Sequence, residues 1–367
     1  MRDSQFDRSR IKMKSLLQRG NRADIERDHV DVGRVPAEPD RQADELLQEA
    51  TERIRLARAN NRPVVMAFGA HTIKNGLGSV LIELLERGWV THMATNGAGI
   101  IHDWEFSYLG QTSEHVRENV ACGEFGNWEE TGYYINLAIN VGAHEGCGYG
   151  ESIGALIEKE GLTIPAQEDL RLEVRELLDS DPERAAAAAD LLGIARRSGL
   201  KPGWHPVPHR WKMYSAQAAA FRRKVPFTGH PMFGHDIIYN HPMNHGASLG
   251  RAALRDFLRF AESISRIEDG VYLSVGSAVM SPMIFEKSLS MAQNLAAQEG
   301  RRIGNHYMFV VDLAESTWDW RRGEPPDGDP AYYLRYNKTF SRMGGTMRYL
   351  QMDNRDFLLH LSRRLQA

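Results

Sequence analysis

One stretch narrows the choice of fold more than any other. Pro63–Phe68 is a short apolar run closed by Gly69. Leu77, Val80, Leu81, Leu84 and Leu85 then fall at i, i+3, i+4, i+7 and i+8, a single helix face that ends at Gly88. A second run, Val90–Thr95, leads straight into Asn96-Gly-Ala-Gly99. Strand, helix and strand in so short a span form a βαβ unit, which requires a parallel sheet and a right-handed crossover. The alternation continues along the chain. A strand leads to Pro226–Gly229, Leu254, Phe257, Leu258, Ala261 and Ile264 mark a helix, and Val271–Val275 and Tyr307–Asp312 are strands around a helix near Pro282–Gln298. The fold class expected is α/β, a doubly wound, Rossmann-like parallel sheet with helices on both faces.

Around this core, residues 1–40 are highly charged and poor in large apolar groups, and read as an arm that is disordered or docks on a neighbouring subunit. Residues 41–367 read as one domain, beginning with an amphipathic helix on Leu46, Leu47, Ala50, Ile54 and Ala57. A helical excursion is expected at about 150–215, including Asp169–Arg197 with its alanine run. Forty-five basic against 48 acidic residues leave a net charge of −3, which gives no footprint for nucleic acid or an anionic membrane. No run approaches the ~18–20 consecutive apolar residues of a membrane span. The two cysteines, Cys122 and Cys147, lack zinc-type spacing and suit a reducing compartment. With no apolar run at the N-terminus, the expectation is a cytoplasmic protein.

In open parallel sheets ligands sit beyond the carboxyl ends of the strands. Three such ends carry small-residue loops: Gly69–Gly76, with Thr72, Lys74, Asn75 and Gly76; Asn96, Gly97, Ala98 and Gly99, followed by Asp103; and Gly276-Ser277. Each loop alone serves tight strand-to-helix packing equally well, but three in one sheet favour a nucleotide whose phosphates meet helix N-termini. A second signal is the histidine-rich stretch His230, His235, His241 and His245, with Asp236 among them and His205 and His209 shortly before. Imidazole is a metal ligand, a proton carrier and a pH-tuned base. The spacing matches no fixed ligand pattern, so a metal-dependent hydrolase or lyase stands beside a catalytic or substrate-binding role. The third signal is an aromatic segment containing Trp318, Tyr336 and Lys338, which reads as a pocket wall with a cation or as a subunit contact.

Taken together and in order, Phe68–Gly78, Thr95–Gly99 with Asp103, Gly123–Trp128 and Val275–Val279 resemble deoxyhypusine synthase, over roughly residues 60–340. The resemblance implies a Rossmann-like fold that binds NAD, a homotetramer, a small-molecule amine substrate, and transfer through an imine on a lysine near the C-terminus. Lys338 takes that lysine's place, with Tyr336 as the aromatic beside it. His230 and His235 stand where the family has two carboxylates for its cationic amine, and the family's paired histidines fall at Pro282-Met283. Recognition of a polyamine is weakened by that exchange. The expectation is an NAD-dependent enzyme for an amine or related small substrate, with His230 or His235 moving the proton and Asp236, Tyr336 and Trp318 contacting substrate. A non-catalytic nucleotide-binding protein is the remaining alternative.

Overall fold

Val64–Phe68 and Val271–Val275 are buried at every residue. A strand with no polar face needs cover on both sides, the condition of a parallel sheet inside an α/β sandwich. The computed structural model describes residues 5–366 and supplies that cover. Six parallel strands form the central sheet: β1 (Val64–Phe68), β2 (His92–Asn96), β3 (Phe227–His230), β4 (Val271–Val275), β5 (Tyr307–Asp312) and β6 (Thr346–Gln351). Their spatial order is 3-2-1-4-5-6. The register sets Phe68 beside both Thr95 and Val275, so β1, β2 and β4 finish at one level.

Side chains alternate between two cores, as the two-residue period of a strand demands. Val64, Met66 and Phe68 enter one core with Leu81, Leu84 and Ile100, while Val65 and Ala67 enter the other with Phe260, Ile264 and Phe285. Helices α1 (Arg41–Ala59), α2 (Ala70–Lys74), α3 (Gly78–Glu86) and α4 (Gly97–Leu109) contribute to the first core. Helices α5 (Gly246–Ser265), α6 (Met280–Gln298) and α7 (Arg335–Ser341) contribute to the second. The excursion is pinned at its base by an antiparallel ribbon, Gly161–Ile164 on Gly203–Pro206, which brackets helices Gln167–Leu177 and Pro182–Arg197. No helix among the described residues is long and apolar enough to cross a membrane.

Residues 1–4 of the expected N-terminal arm lie outside the described residues, and the described part of the arm is tied to its own chain at several points. Asn21–Asp24 pairs antiparallel with Gln111–Glu114, and Leu16 is fully buried. Arg19 donates to both carboxylate oxygens of Glu105 on α4, at 2.8 and 2.7 Å. Their side chains are only 2% and 1% exposed. Inside the fold this arginine's charge is met by a carboxylate to which Thr131 and Thr112 also donate. Strand β6 and the C-terminal helix α8 (Asn354–Gln366) also went unread. Thr346–Gln351 lies at the sheet edge and mixes polar with apolar residues, so it lacks the apolar run of an interior strand.

Candidate functional site

Reading 3-2-1-4-5-6, the chain reverses its direction of winding between β1 and β4. Ligands bind at this switch point in open α/β sheets. Here the backbones that leave the two strands almost touch: a Cβ on Gly69 would lie 2.1 Å from the Gly276 carbonyl oxygen. Only glycine permits that approach. Gly276 itself sits at φ +57° and is exposed, and a Cβ there would find nothing nearer than the Asn354 Nδ2 at 3.9 Å. Asn354 donates from Nδ2 to the Thr72 hydroxyl at 3.2 Å. Asn75, Gly276 and Asn354 therefore reach the surface around the crevice between the two strand ends, with Thr72 fully buried behind Asn354, a residue on the last helix that the sequence reading missed.

The helix leaving β1 has no side-chain N-cap, and in the helix leaving β4 the Ser277 hydroxyl accepts from the Ser281 N–H at 3.2 Å. The helix leaving β2 is capped by Asn96, whose Oδ1 accepts from the Gly99 N–H at 2.9 Å. Dinucleotide folds often place a ribose-reading acid near the end of this second strand; Asn96 instead spends its carbonyl on its own helix.

Next to α4 lies a cavity of about 210 Å³ lined by Arg19, Lys74, Ala98, His102, His235 and Asp236, among others. Asp236 fits against α4 because Gly97 has no side chain, a Cβ there falling 1.9 Å from Oδ2. Its Oδ1 accepts from the Ile238 N–H at 3.3 Å, and burial pushes its pKa up to about 6. His102 is 2.8 Å from the Thr112 hydroxyl through Nδ1, and burial pushes its pKa down to about 4. A neutral imidazole, a carboxyl that holds its proton toward neutrality, and Lys74 thus share one cavity. The sequence reading singled out Lys74, Ala98, His235 and Asp236 from this group and missed His102 and Arg19, neither of which stands in a loop at a strand end.

Several expected site residues are placed elsewhere. Asp103 is fully buried and accepts from the Ala216 N–H (3.0 Å) and Gln217 Nε2 (2.9 Å), as well as from Ser215 Oγ. It anchors the helix Ala216–Arg223 and is only 1% exposed. The histidine series is a cluster in sequence alone. His230 is buried beside Thr228, His235 is exposed at the cavity, His241 faces Glu129 at 3.4 Å, and His245 caps α5 through Ser248. His205 bonds the Lys201 carbonyl and His209 that of Val207. Prolines and turns send these rings to different layers. Among the described residues no group of three or more His, Cys, Asp or Glu side chains is arranged to hold a metal ion.

The aromatic segment forms a separate corner. Lys338 Nζ lies 3.4 Å from the centroid of the Tyr332 ring and 3.9 Å from Glu324. The Trp318 indole donates to the Gly323 carbonyl at 2.9 Å and Arg322 lies over its ring, while Tyr336 packs on the second core. Trp318 and Tyr336 are thus engaged within this corner and line neither the crevice nor the cavity. Thr72, Lys74, Asn75, Gly76, Asn96, Gly97, Ala98, Gly99, Gly276 and Ser277 do gather at the ends of β1, β2 and β4.

No protein-family model matches the sequence, and no curated protein sequence matches it. Among solved structures, AgrE in a ternary complex with ornithine and NAD+ superposes with a TM-score of 0.45 at 14% identity, over 91% of this chain and 34% of AgrE. ArgZ, an arginine dihydrolase from the ornithine-ammonia cycle in cyanobacteria, gives 0.41 at 13% identity, over 88% of this chain and 32% of ArgZ. A conserved LOR/SDH protein from Methanococcus maripaludis S2 gives 0.42 at 13% identity, over 90% of this chain and 69% of that one. This chain spans about a third of the length of AgrE and ArgZ.

Proposed function

We propose that this chain binds NAD in the crevice between the ends of β1 and β4 and acts as an NAD-dependent enzyme on an amine or related small substrate held in the adjoining cavity. The observation that carries the reading is the strand order 3-2-1-4-5-6 with Gly69 pressed against Gly276 at the switch point. The residues present suit a dinucleotide: backbone comes to the surface at Gly276, and Asn75 and Asn354 offer polar side chains beside it. When bound, NAD+ supplies a hydride acceptor. Lys74, His102, His235 and Asp236 then surround the substrate. Asp236, whose pKa sits nearer neutrality than an ordinary carboxyl, is suited to exchange a proton with an amine.

The deoxyhypusine synthase resemblance extends this proposal to a homotetramer and to an imine on Lys338. Borohydride added to protein, NAD+ and a diamine tests that extension: a reduced adduct on Lys338 by mass spectrometry supports it, and an unmodified Lys338 removes the imine while leaving NAD-dependent oxidation in place. The core reading is tested by titrating NAD+ into the purified protein. Saturable binding at one site per chain is expected, weakened at least about tenfold in Gly276→Ala, whose methyl group would project into the crevice while costing only about 1 kcal/mol of backbone strain. Absence of NAD+ binding by the unaltered chain would overturn it.

A further inference from the structure

On the far side of the sheet from the cavity, four polar side chains run in single file through the apolar second core. Ser263 Oγ lies 2.8 Å from His92 Nδ1, His92 Nε2 lies 2.9 Å from Thr228 Oγ1, and Thr228 Oγ1 lies 2.9 Å from His230 Nε2. His92 is fully buried and Thr228 is 1% exposed, with Phe260 edge-on to both imidazoles. The two ends reach opposite edges of the sheet. His230 is the last residue of β3, paired with Asn96 at the carboxyl edge, and keeps 8% of its surface exposed. Ser263 lines an open surface cleft with Arg62, Thr91, Pro226 and Arg266 near the strand starts. The chemistry at the crevice uses none of His92, Thr228 or Ser263, and an apolar core has no packing need for a continuous polar thread.

We propose that His230, Thr228, His92 and Ser263 form a proton wire that carries a proton from the carboxyl edge of the sheet to solvent at the opposite edge. Its use in turnover rests on the NAD-dependent reading above; its existence does not. Oxidation of an amine or alcohol by NAD+ sends a hydride to the cofactor and releases a proton from the substrate N–H or O–H at the carboxyl edge of the sheet, where the wire begins at His230.

The hydrogen count shows that the wire has two polarities. Burial holds both imidazoles neutral at physiological pH, their pKa values pushed down to about 3, so each ring carries one N–H. Thr228 has a single hydroxyl proton, so when it donates to one Nε2 it accepts from the other. In the receiving state, His230 Nε2–H donates to Thr228, the Thr228 hydroxyl donates to His92 Nε2, and His92 Nδ1–H donates to Ser263. A proton arriving on His230 Nδ1 moves each of these protons one step onward, and the Ser263 hydroxyl releases one to water. The wire is left in the mirror-image state, with His92 Nε2–H donating to Thr228 and the Thr228 hydroxyl donating to His230. No net charge stays inside. Return to the receiving state runs by the same shifts in reverse or by hydroxyl rotation and ring tautomerisation.

The test uses the full chain labelled with [15N]histidine and no nucleotide, so its failure is separate from failure of the NAD titration. The wire predicts opposite protonation at Nε2 of His92 and His230. It also predicts that the His92 ring proton exchanges with solvent faster than the backbone amides of Val64–Phe68. Thr228→Val should slow that exchange at least about tenfold, and Thr228→Ser should keep it within about twofold of the unaltered protein. A merely structural hydrogen-bond chain moves the other way, because loss of the hydroxyl loosens the core and speeds exchange. Protons on both Nε2 atoms, or exchange in Thr228→Val that is unchanged or faster, would overturn the wire. Should the valine variant fail to fold, the His92 ring-proton exchange of the unaltered chain and of Thr228→Ser decides: exchange no faster than that of the Val64–Phe68 amides would overturn the wire.

Discussion

The crevice between β1 and β4 and the corner around Lys338 both drew attention as sequence, and the structure builds them in opposite ways. At the crevice, backbone meets backbone across Gly69 and Gly276, and the adjoining helix α4 is locked by the buried pair Arg19–Glu105. At the corner, Arg342, 53% exposed, and Lys338 share the partly exposed carboxylate of Glu324, and aromatic rings fill the rest. The difference teaches where each site's precision comes from. A crevice set by main-chain contacts and a desolvated ion pair resists deformation, whereas solvent-screened pairs hold a corner loosely.

The largest effect expected from breaking this contrast is in Arg19→Ala. Leaving Glu105 buried and unpaired should cost about 3–5 kcal/mol, read by urea denaturation. Arg342→Ala, at the exposed pair, should leave the urea midpoint close to that of the unaltered protein. If the two variants lose similar stability, the contrast fails.

A pH effect sharpens the crevice side further. Asp256 is fully buried and accepts from the Gly150 and Gly229 N–H groups at 2.8 and 2.7 Å, tying the end of β3 to the first turn of the helix Tyr149–Lys159. Burial pushes its pKa from 3.8 to about 7. Between those values the folded chain binds the proton that the unfolded chain has released. Its contribution to stability is therefore complete below about pH 4, falls as pH rises to about 7, and is flat above. Asp256→Asn removes this term, so the stability of the variant relative to the unaltered protein should rise from pH 4 to 7 and then level off in parallel denaturation curves. A constant difference across that range would mean that Asp256 is ionised in the fold.

Smaller changes separate the two regions by function. Gly276→Ala should lose about 1 kcal/mol in thermal unfolding, and that cost is far less than its effect on NAD binding. Lys338→Ala should change stability by about 1 kcal/mol or less and leave NAD affinity unaltered, because the contacts of Lys338 stay within its own corner.

Much of the sheet was legible because interior parallel strands are rich in apolar residues and their helices repeat at 3.6 residues. Val64–Phe68, His92–Asn96 and Val271–Val275 each announce themselves, and the loops that follow carry the glycines that close approach requires. What stayed hidden depends on distance along the chain. Arg19 reads as one more charge in a polar segment until Glu105, 86 residues on, meets it in the core. Asp103 looked like a ligand because it follows a glycine loop, yet its partners lie beyond residue 214. The histidines after Thr228 share a stretch of sequence, but strand alternation and intervening turns point them into different layers. His92 carried no signal at all; its meaning comes only from Thr228, which β3 sets beside it.

The most direct measurement is calorimetric titration of NAD+ into the unaltered protein, Gly276→Ala and Lys338→Ala. This account predicts one site per chain in the unaltered protein, the same affinity in Lys338→Ala, and affinity reduced at least about tenfold in a folded Gly276→Ala, whose added methyl group stands where the cofactor's backbone contact would be. Equal binding in Gly276→Ala and the unaltered chain, or no binding in either, would contradict it.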